Sequence, residues 1–378
     1  MTVWAGSIGM LKGIYSPLSK VLLSTLDRFN DAVVGLCERH LVERYQNGSV
    51  DVLKTHRALQ RSILQRLDKD IIKRDDIFKE VVSIVRKSLP AADLVKRGDE
   101  SQLLPYTKYS PQAICLHKNF TQSEPKIPGS LAFANILQDT AFYGLHGLGQ
   151  LSTPLSLLQT AESICTSLMD SNPGEARDML VHVLSSMGPV YQELSREGRA
   201  TCLELVSRVI KLLEEGTEGI SPDQWTEEQA FLFARAHHDY GWYLTQANRF
   251  EEAEIWFEKS IAYFRSVDNE LLLALAICDR LWLLSVQQRK QQTRKEAASS
   301  LATIVEEYGE NNPLTLIMKF TAAGALLTIG DLDEALAMFQ DVYERRTVVL
   351  GSTHHQTLAS RYCISVCLQY KKDLEGAE

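Results

Sequence analysis

Long apolar runs, paired cysteines and an excess of basic residues are all missing from this sequence of 378 residues. No stretch reaches about 18 consecutive apolar residues, so no membrane-spanning helix is expected. The formal net charge is −8 and the pI is about 5.7. An acidic chain of this kind is poorly suited to binding nucleic acid or anionic lipid through a basic patch. We therefore expect neither nucleic acid nor a membrane among its partners.

The motifs of common catalytic and cofactor sites are missing as well. The sequence contains no GxxxxGK[ST] phosphate loop, no HExxH zinc helix, no GxSxG nucleophile turn and no Gly-rich dinucleotide loop after a strand. The neighbours His237 and His238 would point about 100° apart on a helix, which prevents them from sharing a metal ion. We expect no catalytic residue, no cofactor and no metal. An enzyme with an unrecognised site remains the least favoured alternative.

Seven cysteines are spread along the chain without CxxC spacing. Cys363 and Cys367 stand one helical turn apart, but no second pair accompanies them, so buried reduced thiols are expected rather than a zinc site. An odd number of unframed cysteines fits a reducing compartment. Lys12 and Lys20 interrupt the N-terminal apolar residues, which argues against a signal peptide. These features predict a cytoplasmic protein.

Two zones differ in pattern. Residues 25–125 mix short apolar runs with turn-forming residues, after an N-terminal segment of residues 1–24. The stretch TQSEPKIPGS (121–130) is typical of a linker, because Pro, Gly and Ser interrupt regular structure. Residues 126–378 have helical periodicity almost throughout. The predicted fold class is all-α, with a helical array over 126–378 preceded by a small α+β domain.

The helices of the second zone repeat. The segments NRFEEAEIWF, GDLDEALAMF and KKDLEGAE align so that Ala253, Ala335 and Ala377 coincide, and a weaker copy places Ala297 between the first two. The steps are 44, 38 and 42 residues. This interval is typical of stacked helical hairpins, each burying the apolar face of its neighbour. Since the chain stops just after Ala377, we expect the last hairpin to lack a complete partner helix and to expose apolar side chains such as Ile364 and Leu368, as in a truncated array.

This pattern resembles the tetratricopeptide repeat (TPR) family. Gly241, Leu244, Ala253 and Phe257 stand at the family's small, large, small and aromatic positions. The segments YGENNPLTL and LGSTHHQTL before the later hairpins are similar to the longer repeat of kinesin light chains. The usual Pro near the repeat end is absent. The resemblance implies an α-solenoid of TPR type, with a concave groove that binds a protein or peptide partner.

Transferring the family's groove positions to this chain selects residues on the first helix of each hairpin. The fifth position of the first helix in successive hairpins would be His238, Trp282, Phe320 and Tyr362. These rings would form a ladder suited to peptide capture. The same rings would be core if the register were off by a residue or two. The predicted partner-binding residues are Arg235, His238, Trp242, Gln246, Asp279, Trp282, Lys290, Phe320, Tyr362 and Gln369.

The first zone predicts a helix, a short hairpin turning at Asn47-Gly48, and two more helices, the second with the acidic pair Asp75-Asp76 favouring its N-terminus. DAVVGLCERHLVERY followed by KTHRALQRSIL resembles the winged-helix region of fungal NB-ARC/NACHT-type signalling NTPases of the STAND class. In that family a histidine at the matching position, here His56, senses the nucleotide phosphates. With no phosphate loop in this chain, His56 has no nucleotide site here.

Two functions remain open from the sequence. The first is an interaction scaffold that forms the sensor or regulatory half of a STAND-type signalling protein. The second is a free-standing adaptor of kinesin-light-chain type, which an N-terminal heptad coiled coil would favour, and none is found. The sequence leaves the partner, the oligomeric state and the exact repeat register open.

Overall fold

The computed structural model describes residues 3–4, 26–47, 50–55, 57–90, 100–148, 152–194, 198–266 and 270–375. Nearly all of these residues are helical, and the predicted all-α solenoid of helical hairpins is confirmed. The chain forms two compact units, residues 1–198 and residues 199–378. Within the described part of the chain, no helix is both long and apolar enough to cross a membrane.

The first unit begins with a small antiparallel sheet among helices. Its elements are β1 (Val3–Trp4), α1 (Leu26–Glu38), β2 (Val42–Asn47), β3 (Val50–Thr55), α2 (Arg57–Leu67) and α3 (Ile71–Ser88). The predicted order of helix, hairpin, helix and helix is thereby confirmed. The hairpin pairs Val42 with Thr55 and Asn47 with Val50. The sequence did not predict β1, which adds to the sheet in the order β1-β3-β2.

The start of α3 corrects one expectation. The acidic pair Asp75-Asp76 was expected to favour the helix N-terminus. The helix begins earlier, because Asp70 is the N-cap and its carboxylate accepts a hydrogen bond from the Lys73 backbone amide at 3.2 Å. Asp75 instead pairs with the buried guanidinium of Arg74, at 2.8 Å.

Four longer helices complete the first unit: α4 (Glu100–Gln122), α5 (Leu131–Leu148), α6 (Ser152–Leu168) and α7 (Pro173–Leu194). The predicted linker is the irregular segment 123–130 between α4 and α5. It does not separate two cores, because Phe78 on α3 and Phe120 on α4 both contact Phe133 on α5, each with ring centroids 5.1 Å apart. The compact unit therefore extends past the predicted boundary near residue 125.

Polar contacts cross the interior of the first unit. The Arg86 guanidinium donates to Asp139 at 2.7 Å and to Asn135 at 2.8 Å, joining α3 to α5. The Gln138 amide donates to the Ser186 hydroxyl at 3.0 Å, joining α5 to α7. Asp139 is only 2% exposed, so its charge depends on the arginine for compensation.

The second unit contains eight helices among its described residues. They are α8 (Gly198–Gly216), α9 (Glu227–Gln246), α10 (Phe250–Ser266), α11 (Glu270–Val286), α12 (Lys290–Tyr308), α13 (Pro313–Ile329), α14 (Leu332–Leu350) and α15 (His355–Glu375). A short 3₁₀ turn, Pro222–Gln224, precedes α9, whose Thr226 and Gln229 form a capping box. Helices α9 to α14 form three hairpins, and α15 packs on α14 as the first helix of a fourth.

Candidate functional site: the inner face of the second unit

The hairpin turns fix the repeat register. At each turn a backbone amide reaches back to a leucine carbonyl: Arg249 to Leu244, Arg289 to Leu284, and Asp331 to Leu326. The residue before each of these amides has a positive φ, namely 60° at Asn248, 58° at Gln288 and 92° at Gly330. Corresponding positions are therefore 40 residues apart in the first step and 42 in the second. The first residues of α13 and α15, Pro313 and His355, are also 42 apart, which gives the step to the fourth hairpin.

This register corrects the sequence alignment of the middle hairpin by four residues. Thr293, not Ala297, corresponds to Ala253 and Ala335, and all three are fully buried. Trp282 corresponds to Trp242, and Cys278 takes the position expected for Trp282 in the ladder of rings. Lys290 is not on the first helix of its hairpin, because α11 ends at Val286 and Lys290 begins α12.

The two helices of each hairpin approach closely where a small residue faces a large one. A Cβ on Gly241 would lie only 3.0 Å from the Phe257 ring and 3.2 Å from the Ala253 carbonyl. In the middle hairpin the sizes are exchanged, since Leu281 faces Ala297 in one core cluster. In the third, Ala323 again faces a phenylalanine, Phe339. This exchange of volumes explains why aligning the sequence by its small residues placed Ala297 one helical turn away from its true equivalent.

We define the inner face as the six corresponding positions on α9, α11, α13 and α15 that the register makes equivalent. These are Arg235, His238, Asp239, Trp242, Thr245 and Gln246; Leu275, Cys278, Asp279, Trp282, Ser285 and Val286; Ile317, Phe320, Thr321, Gly324, Leu327 and Thr328; and Ala359, Tyr362, Cys363, Val366, Gln369 and Tyr370. Helix α11 contacts both α9 and α13, and α13 contacts α15, so the four helices lie side by side in this order.

A charged cluster occupies the α9 end of the inner face. The His238 Nε2 atom lies 2.6 Å from a carboxylate oxygen of Asp279, and its Nδ1 atom lies 3.2 Å from Asp239. Arg235 is 3.7 Å from the other oxygen of Asp239. Burial alone would lower the pKa of His238. The hydrogen bonds that its ring donates to the carboxylates of Asp239 and Asp279 outweigh burial and raise this pKa to about 10. The histidine is therefore a cation at neutral pH.

The predicted rings differ in their exposure. Trp282 is 38% exposed and Tyr362 is 70% exposed. Trp242 is half-buried and packs against the cluster of Leu244 and Phe257. Phe320 is also half-buried, in edge contact with Phe339 at 5.4 Å. The side chains of Trp282 and Tyr362 are accessible, as a groove position requires, whereas Phe320 packs largely in the core.

The remaining predicted groove residues do not share one environment. Gln246 is half-buried near the end of α9, Gln369 is exposed on α15, and Asp279 belongs to the charged cluster. Lys290 is exposed but stands on α12, outside the inner face. His56 lies outside the residues that the structure describes. Whether the inner face binds a partner stays a prediction.

An arginine that the sequence did not predict lies beneath Phe320. Arg346 on α14 is 3% exposed, and its guanidinium lies 4.7 Å from the centre of the Phe320 ring. It donates to the Gln356 carbonyl and to the Ser360 hydroxyl, each at 3.0 Å. Burial lowers its pKa to about 10. Phe264 and Ile304 hold the corresponding positions in the other hairpins, so the repeat pattern predicted an apolar residue here.

Cysteines and histidines in the described residues show no arrangement for metal chemistry. No group of three or more His, Cys, Asp or Glu side chains within the described ranges could hold a metal ion. The cysteines are free thiols, and burial raises the pKa of Cys278 to about 12. His237 is buried, with Nδ1 at 2.5 Å from the Phe233 carbonyl and its ring packed near Trp256. A satisfied core histidine is the interpretation that these contacts support.

The last helix leaves apolar side chains accessible. Leu358 is 47% exposed and Leu368 is 49% exposed, whereas their equivalents on α13, Leu316 and Leu326, are each 2% exposed. Ile364, also expected to be uncovered, packs partly against the Phe339 core cluster. The alignment of Ala377 falls outside the described residues.

Comparison with known proteins identifies one segment that matches a repeat family. Residues 322–356 match the tetratricopeptide repeat family model. Among solved structures, the kinesin-light-chain TPR-like repeats of Podosopora anserina show 13% identity over 56% of this chain and 94% of theirs, with a TM-score of 0.45. BtubC (BKLC) from P. vanneervenii shows 12% identity over 59% of this chain and 90% of its own, with a TM-score of 0.41. No curated protein matches the sequence significantly. The matched segment covers the second half of α13, all of α14 and the turn into α15, so the chain carries a TPR repeat there.

Proposed function

We propose that this chain is a non-enzymatic, cytoplasmic scaffold that binds a segment of a partner protein on the inner face of its second unit. The observation that carries this proposal is the exposure of large rings on a face built by four packed helices. Trp282, Tyr362 and Tyr370 are 38%, 70% and 54% exposed. Aromatic side chains bury a large area at low entropic cost, and they dominate the energetics of many protein interfaces.

The helix that carries Trp282 is well anchored. Leu281, Leu283 and Leu284 on α11 are completely buried, so Trp282 projects from a helix whose other sides are packed. A residue held in this way loses little freedom when a partner binds, and such preorganisation favours affinity.

A narrower proposal concerns the first unit. The order of helix, hairpin, helix and helix over residues 26–88 supports a winged-helix-like domain, and hence a role as the sensor or regulatory half of a STAND-type signalling protein. A phosphate-loop motif encoded upstream of Met1 in the same reading frame would support this role. A transcript whose frame is closed upstream would instead favour the free-standing adaptor.

The interaction role can be tested with a displayed library of random peptides, selected against the full chain. Peptides that bind should lose about tenfold or more in affinity for the Trp282→Ala, Tyr362→Ala double variant, since truncating an interface ring costs at least 1–2 kcal/mol. Phe320 is left intact, because it packs against Phe339 and its loss would destabilise the unit.

The matched control is the Ile255→Ala, Val348→Ala double variant. These side chains are 54% and 86% exposed and lie on α10 and α14, the second helices of their hairpins. We expect this variant to bind the selected peptides as the original chain does. Equal affinity of all three proteins for every selected peptide would refute binding at the inner face.

A further inference from the structure

Charge on the inner face is confined to one end and is paired there. All of its positions are described, and the only ionised side chains among them are Arg235, His238, Asp239 and Asp279. Two cations and two carboxylates lie within 4 Å of one another in a connected chain. Their charges cancel, so the α9 end offers no net field to a charged partner.

From α11 to α15 the inner face is apolar or neutral apart from Asp279. Leu275, Val286, Ile317 and Val366 are partly exposed there, beside the exposed rings of Trp282 and Tyr370. Lys319, which precedes Phe320 on α13, already has an ionic partner in Asp341 on α14 at 2.7 Å. A partner's charged side chain placed on this lining would lose water without gaining an ionic partner.

A glycine leaves a gap in the same surface. Gly324 on α13 corresponds to Trp242, Trp282 and Val366 on the neighbouring helices. It is partly exposed, and a Cβ at this position would meet no atom within 4 Å. Glycine inside a helix costs about 0.5–1 kcal/mol relative to alanine. No close approach of another helix requires it here, in contrast with Gly241.

We propose that the inner face takes an uncharged segment of a partner protein, and that one aromatic or large aliphatic side chain of this segment fills the space above Gly324 beside Trp282. The inference rests on the proposed binding function and narrows it to a class of partner. An acidic or basic segment and a second copy of this chain are the competing occupants.

The test uses the peptides selected from the random library. Those that depend on Trp282 should have a net charge near zero and at least two large apolar side chains. Their affinity should change less than about threefold between about 0.05 M and 0.5 M NaCl, because no ion pair is formed that salt could screen. Peptides with several like charges, whose affinity falls tenfold or more over this range, would overturn the inference while leaving the proposed function intact.

The Gly324→Leu variant tests the gap directly. A Cβ has open space at this position and leucine has a better helix propensity than glycine, so thermal stability should be unchanged or higher. Affinity for the selected peptides should fall about tenfold or more, because the space is already filled. The Gly174→Leu variant is the control, since that helical glycine on α7 also has nothing within 4 Å of a Cβ.

The outcomes separate the two levels of the proposal. If Gly324→Leu binds normally while Trp282→Ala does not, the gap is unused and the inference fails, but the binding role remains. If neither change affects any selected peptide, the proposed function fails as well. A concentration-dependent dimer in light scattering that Gly324→Leu dissociates would identify a second copy as the occupant and would also overturn the inference.

Discussion

The two compact units are both helical, yet their helices are held together in different ways. In residues 1–198, the elements are joined by contacts that do not recur along the chain, such as the Arg86–Asp139 ion pair between α3 and α5 at 2.7 Å. In residues 199–378, corresponding positions carry a large residue against a small one in successive hairpins, as with Gly241 and Phe257. A recurring arrangement is visible as periodicity in the sequence, whereas a single buried ion pair leaves no periodic trace.

The largest expected effect comes from breaking the individual contact of the first unit. Asp139→Ala leaves the partly buried Arg86 without its main acceptor and should destabilise the unit by about 3 kcal/mol. Hydrogen exchange read by mass spectrometry should show faster exchange in α3 and α5, with little change in α9–α15.

The control for this change is Asp333→Ala in the second unit. Asp333 pairs with Lys371 at the same 2.7 Å, but its side chain is 84% exposed. Water screens this pair, so its removal should cost no more than about 0.5 kcal/mol. Equal effects of the two substitutions would mean that Asp139 contributes nothing through its burial.

The next largest effect tests the exchange of volumes in the second unit. Leu281→Ala should cost about 3 kcal/mol through the cavity that it leaves, and Ala297→Phe should cost about 1–3 kcal/mol by overpacking. Together they reproduce the Ala323 and Phe339 arrangement of the next hairpin. In urea unfolding, the double variant should therefore lose about 1–2 kcal/mol less stability than the two single losses added together. Strict additivity would show that these two positions do not share one space.

The features that the sequence could predict follow the same division between recurring contacts and contacts that occur once. The hairpins of α9–α14 and the β-hairpin at Asn47 were predicted, because periodic apolar positions and turn residues mark them. The middle register was missed because Gln288 takes the left-handed turn position, with φ 58°, where Asn248 and Gly330 are recognisable turn residues. The stretch Gln287–Lys290 therefore did not read as a turn.

In the candidate site, the repeat pattern did not predict every position correctly. The ring ladder used the wrong register for Trp282, and Lys290 was placed on the wrong helix for the same reason. Arg346 was unforeseeable, since Phe264 and Ile304 at equivalent positions predict an apolar residue. Its acceptors, the Gln356 carbonyl and the Ser360 hydroxyl, lie on α15, whose contacts with α14 appear only in the folded chain.

The smallest expected effect concerns His238, a contact of individual character within the repeating unit. Its pKa is raised to about 10 in the folded chain by Asp239 and Asp279, against burial that lowers it. A raised folded-state pKa means that the stabilisation is complete below about pH 6.5, the unfolded value, and is lost as the pH rises toward 10. Tyr243 beside this cluster stays neutral over that range, since burial raises its pKa well above 10.

Between pH 6.5 and pH 9.5, we expect the second unit of the original chain to lose about 2 kcal/mol more stability than that of the His238→Gln variant. This difference is the typical free energy of hydrogen bonds to charged groups. Tryptophan fluorescence during urea unfolding is a suitable measure, because Trp225, Trp242, Trp256 and Trp282 all lie in this unit. The loss should be smaller than that from Asp139→Ala, because the His238 side chain is 22% exposed and Asp139 is almost fully buried. Parallel pH profiles for the original chain and the variant would show that the two carboxylates do not hold the histidine as a cation.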